Sequence, residues 1–575
     1  MAYVINQTLC SACHRCRTEC PKSAIRFKNA KYWIDPDKCV ACGRCARVCH
    51  NGCITNPEKP APRPEPHDRL VKTCDVCVIG GGGSGLVAAN RAQDAGRSVI
   101  VLEKMHEVGG SSWYAGGFRI HWCKKSEGFG HVDNRKAKFD EFYEKSGRSV
   151  DPKLLARMFE ANEQHIDWLL DRHDAERVFE ITTGHMGPGP EAVMMHPRGA
   201  WYDAGKRIDR MIGPGEVGSE MALFLQEEFL KGGGELLLKT RAVQLLTDDA
   251  GGVRGVLAED GGGELEIRCK AVVVASGAFS RNRELMRKFQ PIFCEDEGRE
   301  PVHIFTGAGC TGDGITMCSA LGADIDYKNR RVVLFGPMRH PYPCASMAIF
   351  QCHDGFEIGS DGTPFHGSMG VEISALTKDP RWFGWKILDD NMCETAIREA
   401  MEEPPQSPGM DLPRFQARWR EVLAEEALDN AVVIADTPEE LAEKLGVDAA
   451  GLAAQIAAYD EGTKNPPPTP PDMPEFMRPK HPPIPFGKAP YYAVKMKMFH
   501  ENAIGGMTID ENARVLRDGE PIPGLYACGD TTRGIMFAGD LSVSYLEGVF
   551  TSLTQAYDEG YIAGIEAAAY AEKQG

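Results

Sequence analysis

Between residues 76 and 103 the polarity of the chain changes period twice. A short apolar run, Val76 to Ile79, stops at glycines, an alanine-rich stretch with helical spacing follows, and a second run, Ser98 to Leu102, ends at Glu103. A short apolar run bounded by turn residues reads as a buried strand, so this segment predicts strand, helix, strand. Further on, residues 216–246 read as a helix and a strand, and another apolar strand ends at Ala275. Two long polar helices are expected over Pro413 to Ala427 and Thr437 to Tyr459. No stretch reaches the roughly 18 uncharged apolar residues that a membrane-spanning helix needs.

With 575 residues, 42% hydrophobic and 26% charged, the chain is long enough for about three or four globular domains and is neither a disordered tail nor a disulfide scaffold. The opening MAYVINQTLC has no basic or apolar leader region, so a soluble cytoplasmic protein is expected. The net charge of -17 disfavours nucleic acid and anionic lipid as partners. Residues 1–56 run the other way. They hold nine Lys/Arg against Glu19, Asp35 and Asp37, a balance of +6 that leaves -23 on the rest. Either this basic module docks on the acidic body or receives an acidic donor protein, or the charges are scattered surface residues.

Eight of the 20 cysteines form two runs, Cys10-x2-Cys13-x2-Cys16-x3-Cys20-Pro21 and Cys39-x2-Cys42-x2-Cys45-x3-Cys49. Three thiolates on a tight turn hold three corners of a 4Fe-4S cubane, and the fourth crosses to the other cluster. The spacing therefore groups Cys10, Cys13, Cys16 and Cys49 around one cluster and Cys39, Cys42, Cys45 and Cys20 around the other. Four-thiolate zinc sites instead use two CxxC pairs roughly 15–20 residues apart. The segment resembles the bacterial two-cluster ferredoxins, departing at His50 where proline is usual. Cys53 reads as a buried bystander. Five prolines between Pro57 and Pro66 then form a semi-rigid strap.

Gly80-x-Gly82-x-x-Gly85 stands after one predicted strand and opens a helix, and Glu103 closes the second strand 18 residues after Gly85. This is the dinucleotide fingerprint: the glycines let a pyrophosphate approach the helix N-terminus, and the acid takes ribose hydroxyls. A second glycine loop, Val108 to Gly117, follows, and then come Ala275-Ser-Gly-Ala-Phe279, Thr311-Gly-Asp-Gly314 and Gly524-Leu-Tyr-Ala-Cys-Gly-Asp530. In that order, over about residues 73–325 and 495–575, these motifs resemble the FAD-binding segments of the fumarate reductase/succinate dehydrogenase flavoprotein superfamily. The group also holds 3-ketosteroid dehydrogenases and urocanate reductases.

The resemblance implies FAD, with its pyrophosphate near Gly80, Gly82, Ser84 and Gly85, its flavin near Ser111, Ser112, Gly116 and Gly117, and Asp530 at the ribityl or phosphate end. Lys104, Gly110, Gln244 beside Val243, Gly277, Asp313, Gly529 and Leu546 complete the expected cofactor contacts. The second glycine loop lacks the histidine of covalent members, so the flavin should be non-covalent. The expected fold is α/β and α+β multidomain: a ferredoxin-like two-cluster module (1–56), a proline-rich linker (57–70), a Rossmann-type FAD-binding domain in two parts (71–325 and 495–575), and an inserted α+β capping domain (326–494) that closes over the flavin.

Fumarate reductases carry an arginine that delivers a proton in the cap, and histidines and a second arginine that clamp two carboxylates. Here Ser360-Asp-Gly-Thr-Pro-Phe-His366 has no arginine up to Lys378, Glu501-Asn-Ala-Ile-Gly-Gly506 replaces both histidines, and Asp540 stands at the second arginine's position. An aspartate facing a dicarboxylate would cost several kcal/mol by repulsion and desolvation. The expectation is therefore an ene-reductase or dehydrogenase fed by the clusters, passing hydride between flavin and an activated C=C bond of a cyclic enone, aromatic, steroid-like compound or thioester. Tyr545, Asp540, Glu501 and His500 are the candidate substrate and proton residues. Tyr114, Arg119, His121, Arg339, His340 and His366 are weighed against plain packing or surface roles. Two alternatives stay open: a dicarboxylate reductase whose clamp has moved to Arg339, Arg198 or Arg533, and an electron-transfer subunit of a larger complex. A ferredoxin or flavodoxin-like donor is the expected protein partner, and the oligomeric state is left open.

Overall fold

The structure, a computed structural model, describes residues 2–58, 65–183, 193–197, 217–294, 303–337, 349–365, 379–402, 419–469, 479–535 and 552–575, apart from a few positions inside those ranges. At its centre, Val76–Ile79 pairs in parallel with Val99–Glu103 on one side and Ala271–Val274 on the other. Glu235–Leu238 and Glu520–Ala527 extend this parallel sheet, and Arg514–Arg517 adds an antiparallel edge. Every residue of Val76–Ile79, Val99–Glu103 and Ala271–Val274 is buried. Strands flanked by strands and covered on their faces read as unbroken apolar runs, which is why the pattern was visible.

The helix Gly83–Asp94 follows the first strand, and Ser552–Lys573 packs along it. A second sheet, Arg241–Thr247, Val253–Glu259, Glu264–Arg268 and Leu70–Thr73, flanks this body. Its last strand starts at Leu70, so the strap gives way to a strand at the last residue of the expected linker.

A third sheet, in the expected capping region, is built around one long strand, Tyr491–Met507, paired with Phe383–Asp389, Val432–Ala435, His303–Ile304 and Ile325–Pro337. Ile325–Pro337 crosses position 325/326 and Tyr491–Met507 crosses 494/495. The two expected domain boundaries thus lie inside a single antiparallel ribbon, because the hydrogen-bonded ladder continues from cap to flavin body. The helix expected over Thr437 to Tyr459 is two, Pro438–Leu445 and Ala449–Thr463. Gly446 takes the left-handed conformation that ends the first, and the Asp448 carboxylate accepts the Gly451 N–H to cap the second. Most of Pro413 to Ala427 lies outside the described residues.

The N-terminal module folds around the pairs Val4–Ile5 with Ile54–Thr55 and Ile25–Lys28 with Lys31–Ile34, and carries two short helices, Arg15–Thr18 and Arg44–Arg47. Its buried Ile25, Tyr32, Cys49 and Ile54 share one apolar cluster with Leu388, Met392 and Tyr492 of the cap. Among the described residues no helix is long and apolar enough to cross a membrane.

Candidate functional site

A cleft opens at the C-terminal ends of the central strands. Gly80, Gly82, Ser84, Glu103, Lys104, Gly110, Ser111, Ser112, Gly277, Asp313 and Asp530 all line it. Its floor is the turn from Ile79 into the helix Gly83–Asp94, whose N-cap Gly82 has no side chain to cap the helix and meets open space. The positive end of the helix dipole is thereby left for an anion.

Glu103 is buried, its Oε2 accepting the Gly81 N–H at 2.8 Å and its Oε1 the Met105 N–H at 2.7 Å. Burial raises its pKa, against the hydrogen bonds from these two amides. Opposite, the Lys104 ammonium donates to Thr311 Oγ1 at 2.6 Å and Asp313 Oδ2 at 2.8 Å, while Arg241 donates twice to Asp313. Burial pushes the Asp313 carboxyl up, but Arg241 and Lys104 together outweigh it and hold it at about 2. The cleft thus offers an open helix N-terminus, an acid at the end of the second strand and a serine-lined loop. These residues fit a bound FAD: Gly80 to Ser84 for its pyrophosphate, Glu103 for its ribose, and Ser111 and Ser112 toward its flavin.

Some expected contacts lie elsewhere. Gly85 is beneath the turn, not in the wall: a β-carbon there would stand 2.0 Å from the Gly80 carbonyl oxygen, so its task is close packing of helix on strand. Gln244 is exposed, because the strand has a bulge at Val243 between Ala242 and Gln244; Arg241 and Ala242 line the cleft instead. Gly529 does not line it either, and its N–H donates to Glu559 Oε2 at 2.8 Å. His121 is buried with its ring 4.7 Å from that of Phe159, a core position, and Arg119 is half-buried on the neighbouring strand. Arg533 stays outside the cleft wall, donating to the Ser149 carbonyl. Gly116, Gly117, Arg198, Arg339, His340, His366, Asp540, Tyr545 and Leu546 lie outside the described residues, as does the Tyr114 side chain.

His500 and Glu501 lie on the strand Tyr491–Met507. Asn502 pairs with Val332 and His500 with Val333, so Glu501 is the extra residue of a β-bulge. Six positions on, Met507 bridges to Thr532, and a β-carbon on Gly506 would meet the Thr531 carbonyl at 2.0 Å. That contact ties the strand to the Gly529–Thr531 turn, beside the cleft residue Asp530.

Two residues escaped the sequence reading. Glu559 is fully buried, accepts from Gly529 N–H and Thr532 Oγ1, and is pushed up to about 8 by burial despite those two donors. Its nearest signal was an acid at helical spacing after Ala556, which alone reads as surface. Arg241, the partner of Asp313, carried none.

The cysteines sort into two groups. Cys20, Cys39, Cys42 and Cys45 line one small void with Tyr3, Pro21 and Ile25. Cys10 and Cys49 both contact Cys53, whose sulfur is 3.2 Å from that of Cys49, and Cys16 is buried in the same apolar cluster. Cys53 is thus buried, as expected, but against ligand candidates. Cys13 lies outside the described residues. Among the described residues, no three His, Cys, Asp or Glu side chains converge tightly enough for a single metal ion. Four cysteines around one void are the donor set of a 4Fe-4S cubane.

Comparison with known proteins gives two family matches, the FAD binding domain over residues 75–539 and the 4Fe-4S binding domain over residues 32–55. The NADH:fumarate oxidoreductase of Klebsiella pneumoniae is 26% identical over 82% of this chain, which spans 45% of that protein's length. The urocanate reductase of Eggerthella lenta is 26% identical over 88% of this chain and 77% of its own length. Among solved structures, 3-ketosteroid Δ1-dehydrogenase from Sterolibacterium denitrificans superimposes with a TM-score of 0.66 at 20% identity, over 86% of this chain and 99% of that one, and so shares its fold.

Proposed function

Because the chain belongs to the FAD-binding flavoprotein family of fumarate reductase and succinate dehydrogenase, with a 4Fe-4S domain ahead of it, we propose that it is an FAD- and iron-sulfur-dependent oxidoreductase acting on CH–CH groups. In this reading two 4Fe-4S clusters supply electrons, and a hydride passes between FAD and the activated C=C bond of a substrate that is not a dicarboxylate. A cyclic enone, an aromatic or steroid-like compound, or an acyl thioester is the substrate class. Reduction is the working direction, in a cytoplasm that keeps thiolate-ligated clusters intact.

The feature that carries the reading is in the sequence: Glu501, at a backbone bulge of the strand Tyr491–Met507, stands where the resemblance puts a histidine of the family's dicarboxylate enzymes. A negative group there repels a second substrate carboxylate, and the neighbouring sequence supplies Asn502 and Ala503 in place of cationic partners. Of the relatives, the urocanate reductase is named for a substrate that is not a dicarboxylate, whereas the NADH:fumarate oxidoreductase is named for one that is. FAD supplies the hydride chemistry when bound. The Gly80 turn would hold its pyrophosphate and Glu103 its ribose.

The test is anaerobic reoxidation of the reduced protein by a panel of apolar enones, aromatic alkenes and acyl thioesters beside fumarate. Turnover of an apolar enone with no response to fumarate supports the reading. Turnover of fumarate alone overturns it in favour of a relocated arginine clamp, and silence throughout favours an electron-transfer subunit.

A further inference from the structure

The two cysteine groups are placed differently with respect to the cleft. The first, Cys10, Cys16 and Cys49, is tied to the flavin body at two points. Arg281 Nη1 donates to the Cys10 carbonyl at 3.4 Å, and Nη2 donates to the Ile304 and Thr306 carbonyls at 2.9 Å each. The residues that follow, Gly307 to Cys310, are cleft wall, and the Arg281 N–H itself donates to the Cys310 carbonyl. At the other point the His106 side chain hydrogen-bonds to the Cys49 main chain, and its ring lies so close over Gly52 that a β-carbon there would be 3.1 Å from Nδ1. His106 stands between Met105 and Glu107, both of which line the cleft.

The second group faces outward. All residues around its void fall between Tyr3 and Cys45, within the N-terminal module. Cys42 is exposed, whereas Cys16 and Cys49 are buried. Val40, 57% exposed, and the exposed Lys22 line the same void as Cys42, and the exposed Lys38, Arg44 and Arg47 are near it in sequence. The acids nearest in sequence are Asp35 and Asp37, and Asp35 is 3.7 Å from Lys38. Exposed Val40 and these exposed cations, on a module of +6 attached to a body of -23, favour an acidic partner at this module over the rest of the chain.

We infer that electrons enter at the Cys20, Cys39, Cys42 and Cys45 cluster, from an acidic one-electron carrier protein docked on the rim of Lys22, Val40 and Arg44, and reach FAD through the Cys10, Cys16 and Cys49 cluster across His106 and Arg281. This rests on the proposed cluster-to-flavin wiring and adds its order and its docking face. The balance is simple: two carrier molecules, each oxidised by one electron, together with one proton from solvent, bring FAD to its hydride-donating form.

The experiment follows the reductive half-reaction alone, with no C=C acceptor present, so a wrong substrate reading leaves it intact. The full-length holoprotein is mixed anaerobically with a reduced, acidic 2Fe-2S ferredoxin, or separately with dithionite, and cluster and flavin absorbance are followed by stopped flow. Lys22→Glu with Arg44→Glu, neither of them a ligand, should slow cluster reduction by the ferredoxin at least tenfold and flatten its dependence on salt, with dithionite reduction unchanged. His106→Ala should leave cluster reduction by the ferredoxin at its full rate and slow the following reduction of flavin several-fold. Cys42→Ala, checked for FAD and for the iron of the remaining cluster, should lose flavin reduction by the ferredoxin and keep it with dithionite. An unchanged ferredoxin rate in the charge-reversal protein overturns the docking face. Full-rate flavin reduction by the ferredoxin in Cys42→Ala overturns the order of the clusters.

Discussion

The carboxylate of Glu103 accepts the main-chain N–H of Gly81 at 2.8 Å, so the acid that ends the second strand also braces the glycine turn that follows the first. One residue thus braces the glycine turn and lines the cleft beside it. Glu103→Ala leaves the Gly81 and Met105 amides without that acceptor, a loss of about 1–3 kcal/mol for buried polar groups. The expected result is FAD affinity weaker by about ten- to a hundredfold, read as the flavin-to-protein ratio after dialysis. An undiminished ratio contradicts this role.

Asp313 lies between Lys104 and Arg241, and its carboxyl is held at about 2 against burial. A carboxylate depressed in the folded state contributes stability above its unfolded pKa near 4 and loses it as pH falls from there toward 2. The shift corresponds to about 2 kcal/mol. Asp313→Asn should therefore lower the denaturation midpoint at pH 6, and its deficit should shrink as pH drops to 3. A deficit constant with pH would show that packing, and not charge, is lost.

Glu559 behaves oppositely. Burial raises it to about 8, so the folded state binds a proton more tightly than the unfolded chain does. Its contribution is fully present below the unfolded pKa near 4.5 and is lost as pH rises through 8, at up to about 1.4 kcal/mol per unit. Glu559→Gln keeps acceptor and shape without the titration. Its melting temperature should fall less between pH 5 and 8 than that of the unaltered protein. Parallel curves would mean that the carboxylate is ionised throughout.

A methyl group at Gly85 meets the Gly80 carbonyl oxygen at 2.0 Å, a backbone atom with no room to move. Gly85→Ala should cost about 1–3 kcal/mol and release FAD by distorting the turn, as seen by denaturation and by flavin fluorescence in the filtrate. Retained flavin with unchanged stability would contradict the packing.

The legible parts of this molecule were those whose chemistry is local in sequence. Thiolate spacing follows the corners of a cubane, so Cys20 could be grouped with Cys39, Cys42 and Cys45 before any fold was known, and the structure lines one void with these four. The Gly80 to Glu103 unit was equally visible because two buried strands and one helix stand in sequence. What stayed hidden depends on distant partners. Arg241 gains its role only when folding brings it to Asp313, 72 residues on, and Glu559 only when it meets Gly529, 30 residues earlier. The bulge at Val243 turned Gln244 to solvent, a register event that no residue type announces. Gly446 was the one missed signal written in plain residues, a glycine that ends a helix within a stretch read as continuous.

The central claim, a C=C oxidoreductase of non-dicarboxylate substrates, is tested most directly by exchanging the acid at the bulge. Glu501→His returns the residue type found in the dicarboxylate enzymes of the family, and anaerobic reoxidation rates are then compared for fumarate and for an apolar cyclic enone. The unaltered protein should be reoxidised by the enone and not by fumarate, and Glu501→His should lower the enone rate at least tenfold. Rapid reoxidation of the unaltered protein by fumarate, with the enone inert, would contradict it.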